Sequence, residues 1–314
     1  MIESALIAIG GPTASGKSAL ALALAERFGG LVINADSMQV YRELAVLTAR
    51  PDATALARAP HALYGFISAA ERCSAGRWRD AALDAIGAAR KAGLVPILVG
   101  GTGLYLRALL DGLSEIPEIP RDVRTRVSAL KEAGGLVAIR ARLAERDPAM
   151  AARLRPSDTQ RQIRALEVIE ATGRSLASFQ RAAPASPVAD KVVRVVLEPP
   201  RDALRAACDA RFLDMLERGA LAEVEALRAL ALDPSLPAMK ALGVRELGDH
   251  LAGRATLEHA ARDAQAAIRQ YAKRQQTWFR HQMLGAERIP ALYVPERFGD
   301  IERRVALALG IDRG

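Results

Sequence analysis

The stretch Gly11-Pro12-Thr13-Ala14-Ser15-Gly16-Lys17-Ser18 constrains this chain more than any other. It fits the spacing G-x-x-x-x-G-K-[ST] of a phosphate-cradling loop. Its flanks fit as well. Ala5-Leu6-Ile7-Ala8-Ile9 ahead of it reads as a short buried strand. Ala19 to Phe28 behind it is rich in Ala and Leu and stops at Gly29-Gly30, where a helix needs a left-handed cap. Strand, glycine turn and helix together aim backbone N–H groups and a positive helix end at an anion. Lys17 would add a point charge and Ser18 a hydroxyl for Mg²⁺. An ordinary glycine turn with a chance lysine would lack these flanks. The loop says phosphate and leaves the reaction open.

With 314 residues the chain can form one large domain or two ordinary ones. Half of it is hydrophobic and a quarter charged, the balance of a soluble globular protein. Glu3 and a short apolar run at the start do not make a secretion signal, and Ala19 to Ala25 is too short for a bilayer, so no membrane association is expected. Cys73 and Cys208 stand far apart and the four His residues show no ligand spacing. That argues against zinc or disulfides and for a reducing, cytoplasmic setting. A monomer is expected, since no long exposed apolar repeat argues for obligate assembly. The net charge of +8 is unevenly placed. Residues 1–120 hold 11 basic and 11 acidic side chains, residues 121–164 hold 11 and 5, and residues 165–314 hold 22 and 20. A solvated helical surface would usually mix signs, whereas a surplus concentrated in the middle favours a polyanion such as nucleic acid.

Along the chain the alternation is that of a parallel sheet with crossover helices. Leu31-Val32-Ile33-Asn34 reads as a strand that delivers Ala35-Asp36-Ser37-Met38-Gln39-Val40-Tyr41 to the sheet's carboxyl edge, where open α/β sheets bind ligands. Tyr64-Gly65-Phe66-Ile67-Ser68 is a candidate strand, Arg77 to Lys91 a helix, and Leu94 to Val99 a strand. The last of these ends in Gly100-Gly101-Thr102-Gly103 where a nucleotide hydrolase would often place an aspartate, which weakens the ATPase and GTPase readings. From Ser114 the texture turns helical and basic. Ser157 is read as starting a helix closed by a capping box with Gln160 and ended by Gly173. Arg161 and Arg164 share its face, with surface pairing to Glu167 and Glu170 as the alternative. Ala182 to Pro187 reads as a linker and Val192 to Leu197 as a strand returning to the first sheet. Helices follow over Asp202 to Glu217, Leu221 to Leu230 and Thr256 to Met283. On the last, Arg262, Arg269, Lys273 and Arg280 fall within about 40° of one another. Ile268, Tyr271, Trp278 and Phe279 lie opposite, which predicts a core-packed aromatic side more readily than a membrane-surface helix. The expected fold is α/β: a P-loop NTPase-like parallel sheet core (1–114 plus 191–314) with a helical, basic insertion (115–190) and a helical C-terminal region.

The motifs in combination resemble the tRNA dimethylallyltransferase (tRNA isopentenyltransferase) family over nearly the whole chain. Gly11 to Ser18 is similar to that family's phosphate loop, Asn34 to Tyr41 to its second signature, and Val99-Gly100-Gly101-Thr102-Gly103-Leu104-Tyr105 to its third. Asp158 to Val168 and Tyr271-Ala272-Lys273-Arg274-Gln275-Gln276-Thr277-Trp278-Phe279-Arg280 are two further similar blocks. Departures are small: Val244 stands where many members carry tyrosine, and Met38 where a small residue is common.

The resemblance implies transfer of a dimethylallyl group from its diphosphate to N6 of the adenosine beside the anticodon, in tRNAs that read codons beginning with U. It implies Mg²⁺ and no consumption of ATP, so that Gly11, Pro12, Thr13, Ala14, Ser15, Gly16, Lys17 and Ser18 would grip a prenyl diphosphate, with Ser18 on the metal through that diphosphate. Asp36 would take the N6 proton and Thr102 would hydrogen-bond at the reacting centre; a purely structural Asp36 would only cap the next turn. By the same analogy Arg211 joins the diphosphate site. Asp36, Ser37, Met38, Gln39, Thr102, Arg124, Gln160, Arg161, Gln162, Ile163, Arg164, Lys240, Ala241, Leu242, Gly243, Val244 and Arg245 would meet tRNA. The rivals are a small-molecule kinase in which Asp36 activates a hydroxyl, and a tRNA-binding protein whose loop is only a phosphate anchor.

Overall fold

The computed structural model describes residues 5–114, 116–181, 188 and 191–310. In chain order the elements are β1 (Ala5–Gly10), α1 (Lys17–Phe28), β2 (Gly30–Asn34), α2 (Ala53–Arg58), β3 (His61–Ala62), α3 (Ala75–Lys91), β4 (Val95–Gly100) and α4 (Gly103–Leu110). Then come α5 (Arg121–Arg146), α6 (Pro148–Arg153), α7 (Thr159–Thr172), α8 (Leu176–Arg181), β5 (Lys191–Leu197), α9 (Arg201–Glu217), α10 (Ala220–Ala229), α11 (Val244–Leu251), α12 (Leu257–Gln282), β6 (Glu287–Ile289) and α13 (Phe298–Leu309). All strand pairings among the described residues are parallel, in the order β3-β2-β4-β1-β5-β6. The chain divides into two compact units, residues 1–110 with 188–314, and residues 111–187.

In the first unit β1 is central and every one of its residues is buried. Alternation sends Leu6 and Ala8 into the core on one face, with Trp78, Leu98 and Phe279, and Ile7 and Ile9 into the core on the other, with Leu20, Leu24 and Val195. Each fully buried aliphatic side chain contributes about 1.5–3 kcal/mol of transfer free energy, so a strand buried on both sides must be apolar almost throughout. Helix α1 ends as its sequence predicts: Gly29 is left-handed at φ 65° and its N–H donates to Ala25 O. Strand β2 then runs beside β4 with Asn34 opposite Val99, which brings the chain after each strand to one edge of the sheet.

Two expectations are corrected. Tyr64 to Ser68 is not a strand, because Leu63 (φ 65°) and Gly65 (φ 56°) are left-handed and turn the backbone; β3 is His61–Ala62, and only an isolated bridge joins Tyr41 to Ile67. Helix α7 is capped by Asp158, whose side chain accepts from Arg161 N–H, so Ser157 and Gln160 close no capping box. Gly173 does end that helix, in the left-handed conformation. The expected linker Ala182 to Pro187 lies outside the described residues. Aromatic Phe279 is fully buried in the sheet's core, which removes the membrane-surface reading of α12. No helix among the described residues is long and apolar enough to cross a membrane.

The second unit has its own core of Ile119, Val123, Val127, Ile139, Leu143, Met150, Leu166 and Ile169. Gly135 breaks the helical geometry of α5 at φ 62° and ψ −155°, so α5 is two helices joined at a glycine kink. Its arginines lie outside: Arg142 pairs with Glu170 and Glu145, and Arg126 with Asp122.

Candidate active site

The loop between β1 and α1 is shaped by two unusual backbones, Ala14 at φ 62° and Gly16 at φ 88°. A side chain on Gly16 would strike Tyr293, whose N–H donates to Ser15 O (3.0 Å) and which therefore backs the loop. Ser15 Oγ is fully buried and has no hydrogen-bond partner among the described residues. A buried hydroxyl without a partner costs free energy unless a ligand completes it, and this one belongs to a loop whose sequence predicts phosphate. Lys17 is buried at the head of α1, its Nζ 3.4 Å from Pro12 O. Burial first, and the Arg211 charge second, pull its pKa down to about 8; Asp36 opposes them. Arg211, projecting from α9, is lowered chiefly by burial and supported by Asp36; its Nη1 donates to Thr13 Oγ1 at 3.3 Å. A buried lysine and a half-buried arginine at one loop, with no ion pair among the described residues, form a site electrically prepared for an anion. Ser18 is exposed on the first turn of α1.

Across from the loop stands the acid. Asp36 follows β2 and is held by Asn34, which is fully buried. The Asn34 Oδ1 accepts from Asp36 N–H (2.8 Å), while Nδ2 donates to Asp36 O and to Leu63 O (3.0 Å each). Asp36 Oδ1 accepts from Met38 N–H (2.9 Å), so the turn-capping role is real, and Oδ2 makes no hydrogen bond among the described residues. Thr102 joins the same rim: its Oγ1 accepts from Ser37 N–H (2.9 Å) and donates to Ser37 Oγ (3.1 Å), and its N–H donates to Ala35 O. The close approach depends on Gly100, where a Cβ would lie 2.0 Å from Ala35 O. Tyr64 and Tyr271 face the carboxylate too; burial, with the Asp36 charge second, raises both phenols well above their ordinary range, so both stay neutral. Among the described residues no cluster of His, Cys, Asp and Glu could by itself hold a metal ion.

A cavity of about 810 Å³ opens between α9 and α12 and is lined by Arg201, Arg205, Arg269, Lys273 and Arg280, with Cys208 among its walls. Cys208 Sγ lies 4.0 Å from Thr13 O, so the basic cavity adjoins the loop. Burial raises that thiol to about 11, which keeps it protonated and unreactive.

The residues predicted to meet RNA divide into two sorts. Met38 is half-buried and Gln39 buried, with the Gln39 amide donating to Thr48 O and Ala49 O. Lys240 and Arg245 are exposed, whereas Ala241, Gly243 and Val244 are buried and Leu242 half-buried, so that block can offer RNA only two charged side chains and some backbone. In the second unit Arg124, Gln160 and Arg161 are exposed; Ile163 and Arg164 are half-buried. Arg161 pairs with Asp158 (3.3 Å) rather than Glu167, and Arg164 with Glu167 (3.7 Å). The exposed Arg161 pair is worth at most about 1 kcal/mol and yields readily to a phosphate. Gln162 is turned inward: it is fully buried and its Nε2 donates to Arg155 O and Pro156 O, so it holds the turn before α7. Asn34, Tyr64 and Tyr271 were missed as site residues. Asn34 and Tyr271 sit within recognised blocks, a signal that was present but carried no role; Tyr64 had none.

A six-stranded parallel sheet with this loop, two cations and an acid at its carboxyl edge defines a phosphate-loop α/β protein. A family model described as IPP transferase matches residues 39–282, and one described as isopentenyl transferase matches residues 4–61. The chain belongs to the IPP transferase family, that of the tRNA dimethylallyltransferases. It is 60% identical over 284 residues to a tRNA dimethylallyltransferase of Rhodospirillum centenum, covering 90% of each chain. It is 55% identical over 291 residues to one of Phenylobacterium zucineum, covering 92% of this chain and 94% of that one. Among solved structures it is similar to the full-length tRNA isopentenylpyrophosphate transferase of Bacillus halodurans, with 32% identity, a TM-score of 0.71 and coverage of 98% and 97%. It is also similar to a eukaryotic dimethylallyltransferase captured acting on tRNA, with 26% identity, a TM-score of 0.81 and coverage of 96% of this chain and 78% of that one.

Proposed function

We propose that this chain transfers the dimethylallyl group from dimethylallyl diphosphate to N6 of the adenosine 3′-adjacent to the anticodon, in tRNAs reading codons that begin with U, and releases diphosphate. The observation that carries the reading is one carboxylate, Asp36, within electrostatic reach of two cations, buried Lys17 and half-buried Arg211, at a phosphate loop. Adenine N6 is a weak nucleophile because its lone pair is delocalised into the ring. As N6 attacks the allylic carbon, the C–O bond to the diphosphate breaks and its electron pair leaves with the diphosphate oxygen. The N6 proton passes to Asp36 Oδ2, the oxygen not spent on the turn. Lys17, Arg211 and the loop amides stabilise the charge that develops on the leaving group. Thr102, locked to Ser37, holds the rim against which the base sits.

Hydroxyl and carboxylate oxygens are the hard donors magnesium prefers, and one exposed serine hydroxyl beside a diphosphate suits an ion that keeps most of its waters. Ser18 would hold it through the diphosphate. When bound, the ion supplies further neutralisation of the leaving group.

A stacked adenine cannot present N6 to a buried loop, so the nucleotide must be extruded, which costs less from an unpaired anticodon loop than from a duplex. Arg124, Gln160, Arg161 and Arg164 serve the RNA's phosphates, which positions it without reading sequence. Lys240 and Arg245 add charge on the first unit. The cavity lined by Arg201, Arg205 and Lys273 is basic enough to admit an anionic donor. The protein acts as a cytoplasmic monomer and consumes no ATP. Incubation with labelled dimethylallyl diphosphate, Mg²⁺ and an anticodon stem-loop tests the reading: label on the RNA supports it. ATP turnover with a small acceptor, or RNA binding without transfer, refutes it.

A further inference from the structure

The block Tyr271 to Arg280 lies on α12, and one stripe of that helix touches each segment of the site. Phe279 packs where a Cβ on Gly10 would lie 2.3 Å from its ring, and Trp278 where a Cβ on Gly103 would lie 2.3 Å from its indole. Tyr271 stands one turn before Gln275 on the same stripe, close to the Thr102 rim. Between these aromatics sits Gln275, only 5% exposed. Its Oε1 accepts from Thr13 N–H at 2.8 Å, and its Nε2 donates to Gly101 O at 2.9 Å. Thr13 belongs to the phosphate loop and Gly101 to the rim that carries Thr102. One carboxamide therefore spans the two halves of the reaction site. Only a side chain with an acceptor and a donor on one planar group can satisfy both backbone atoms at once. The space is specified as well: a Cβ on Gly101 would lie 2.1 Å from Gln275 Nε2 and 3.5 Å from Asp36 Oδ2. So the glycine in the third motif is needed for the glutamine in the fifth.

We propose that Gln275 is a positioning residue for the transfer, fixing the separation between the diphosphate loop and the Gly101–Thr102 rim, and that Thr13 N–H is consequently a structural donor and not one of the amides that bind diphosphate. The inference rests on the transferase reading above. Transfer needs the allylic carbon and N6 at about 3–3.5 Å, and a displacement of about 1 Å costs up to about a hundredfold in rate. A tie between the two binding surfaces sets that distance without touching either substrate. Its loss therefore falls on turnover and spares the separate affinities.

The test uses the full-length protein with Gln275→Met, which keeps the length and removes both bonds, and Gln275→Glu, which keeps an acceptor for Thr13 and loses the donor for Gly101. Expected for Gln275→Met is a kcat lowered about 10- to 100-fold, with KM for dimethylallyl diphosphate and Kd for an anticodon stem-loop each within about threefold. Unchanged kcat in a folded variant, or affinities lost in step with kcat, would overturn the proposal. A second measurement needs no turnover: hydrogen exchange at the Thr13 amide. Slow exchange in the wild type and in Gln275→Glu, and faster exchange in Gln275→Met, is expected, with no further slowing in the wild type when diphosphate is added. Fast exchange in the wild type, or protection that appears only with diphosphate, refutes the tie. Absence of label transfer by the wild type would instead refute the transferase reading, so the two failures are distinct.

Discussion

Lys17 offers a direct measurement of how the site is prepared for its ligand. Buried beside Arg211, it has a pKa lowered from 10.5 to about 8. The native state thus holds this proton less tightly than the unfolded chain, whose lysine titrates near 10.5. The sign follows: charged Lys17 opposes folding by about 3 kcal/mol below pH 8, and this penalty fades as pH rises from about 8 towards 10.5. A bound diphosphate reverses the balance by giving the ammonium an anion, which pushes the pKa back up. Binding above pH 8 must therefore take up a proton. With a free-state pKa of about 8, Lys17 is roughly one-tenth neutral at pH 7 and nine-tenths neutral at pH 9. Affinity for the donor should fall about tenfold between those pH values, about 1.4 kcal/mol, with uptake of about 0.1 proton at pH 7 and about 0.9 at pH 9. Calorimetric titration with dimethylallyl diphosphate in two buffers of different ionisation enthalpy counts these protons directly. The donor's own phosphates are fully ionised at pH 9 and add nothing. Lys17→Met should bind weakly and take up none. Uptake below about 0.3 proton at pH 9, or the same uptake in Lys17→Met, would show that the lysine is charged before the ligand arrives.

Three more outcomes follow from the same geometry. Asp36→Asn keeps the acceptor for Met38 N–H but cannot take the N6 proton, so kcat should fall about 10²- to 10⁴-fold while stem-loop Kd stays within about threefold; equal losses in both would place Asp36 in binding alone. Arg161 is 76% exposed with a single weak pair to Asp158, so Arg161→Ala should reduce the slope of log affinity against log salt by about 1; an unchanged slope would take α7 out of the phosphate-contacting surface. In Gly103→Ala the new Cβ would sit 2.3 Å from the Trp278 indole, and the overpacking should cost about 1–3 kcal/mol, read as a melting temperature lowered by several degrees. No change would mean that Trp278 moves aside freely.

The sequence by itself determined whatever depends on neighbours along the chain. The strand before Gly11, the helix over Ala19 to Phe28 (which the structure starts at Lys17) and its stop at Gly29, and the return strand to Leu197 were all legible, because burial alternation and glycine caps act within a few residues. The cap at Asp36, which the sequence offered only as the alternative to a proton-taking role, is equally local: its carboxylate accepts from Met38 N–H. Local pattern failed at Tyr64 to Ser68, where two left-handed residues outweighed β-propensity, and at Ser157, where a neighbouring aspartate took the cap. Only the tertiary structure decided which side chains meet. Gln275 reaches Thr13 across 262 positions and Gly101 across 174, Arg211 reaches Thr13 across 198, and Gln162 turns inward although its block reads as a charged surface. Such contacts leave no periodicity behind: a hydrogen bond constrains two atoms in space and says nothing about the residues between them.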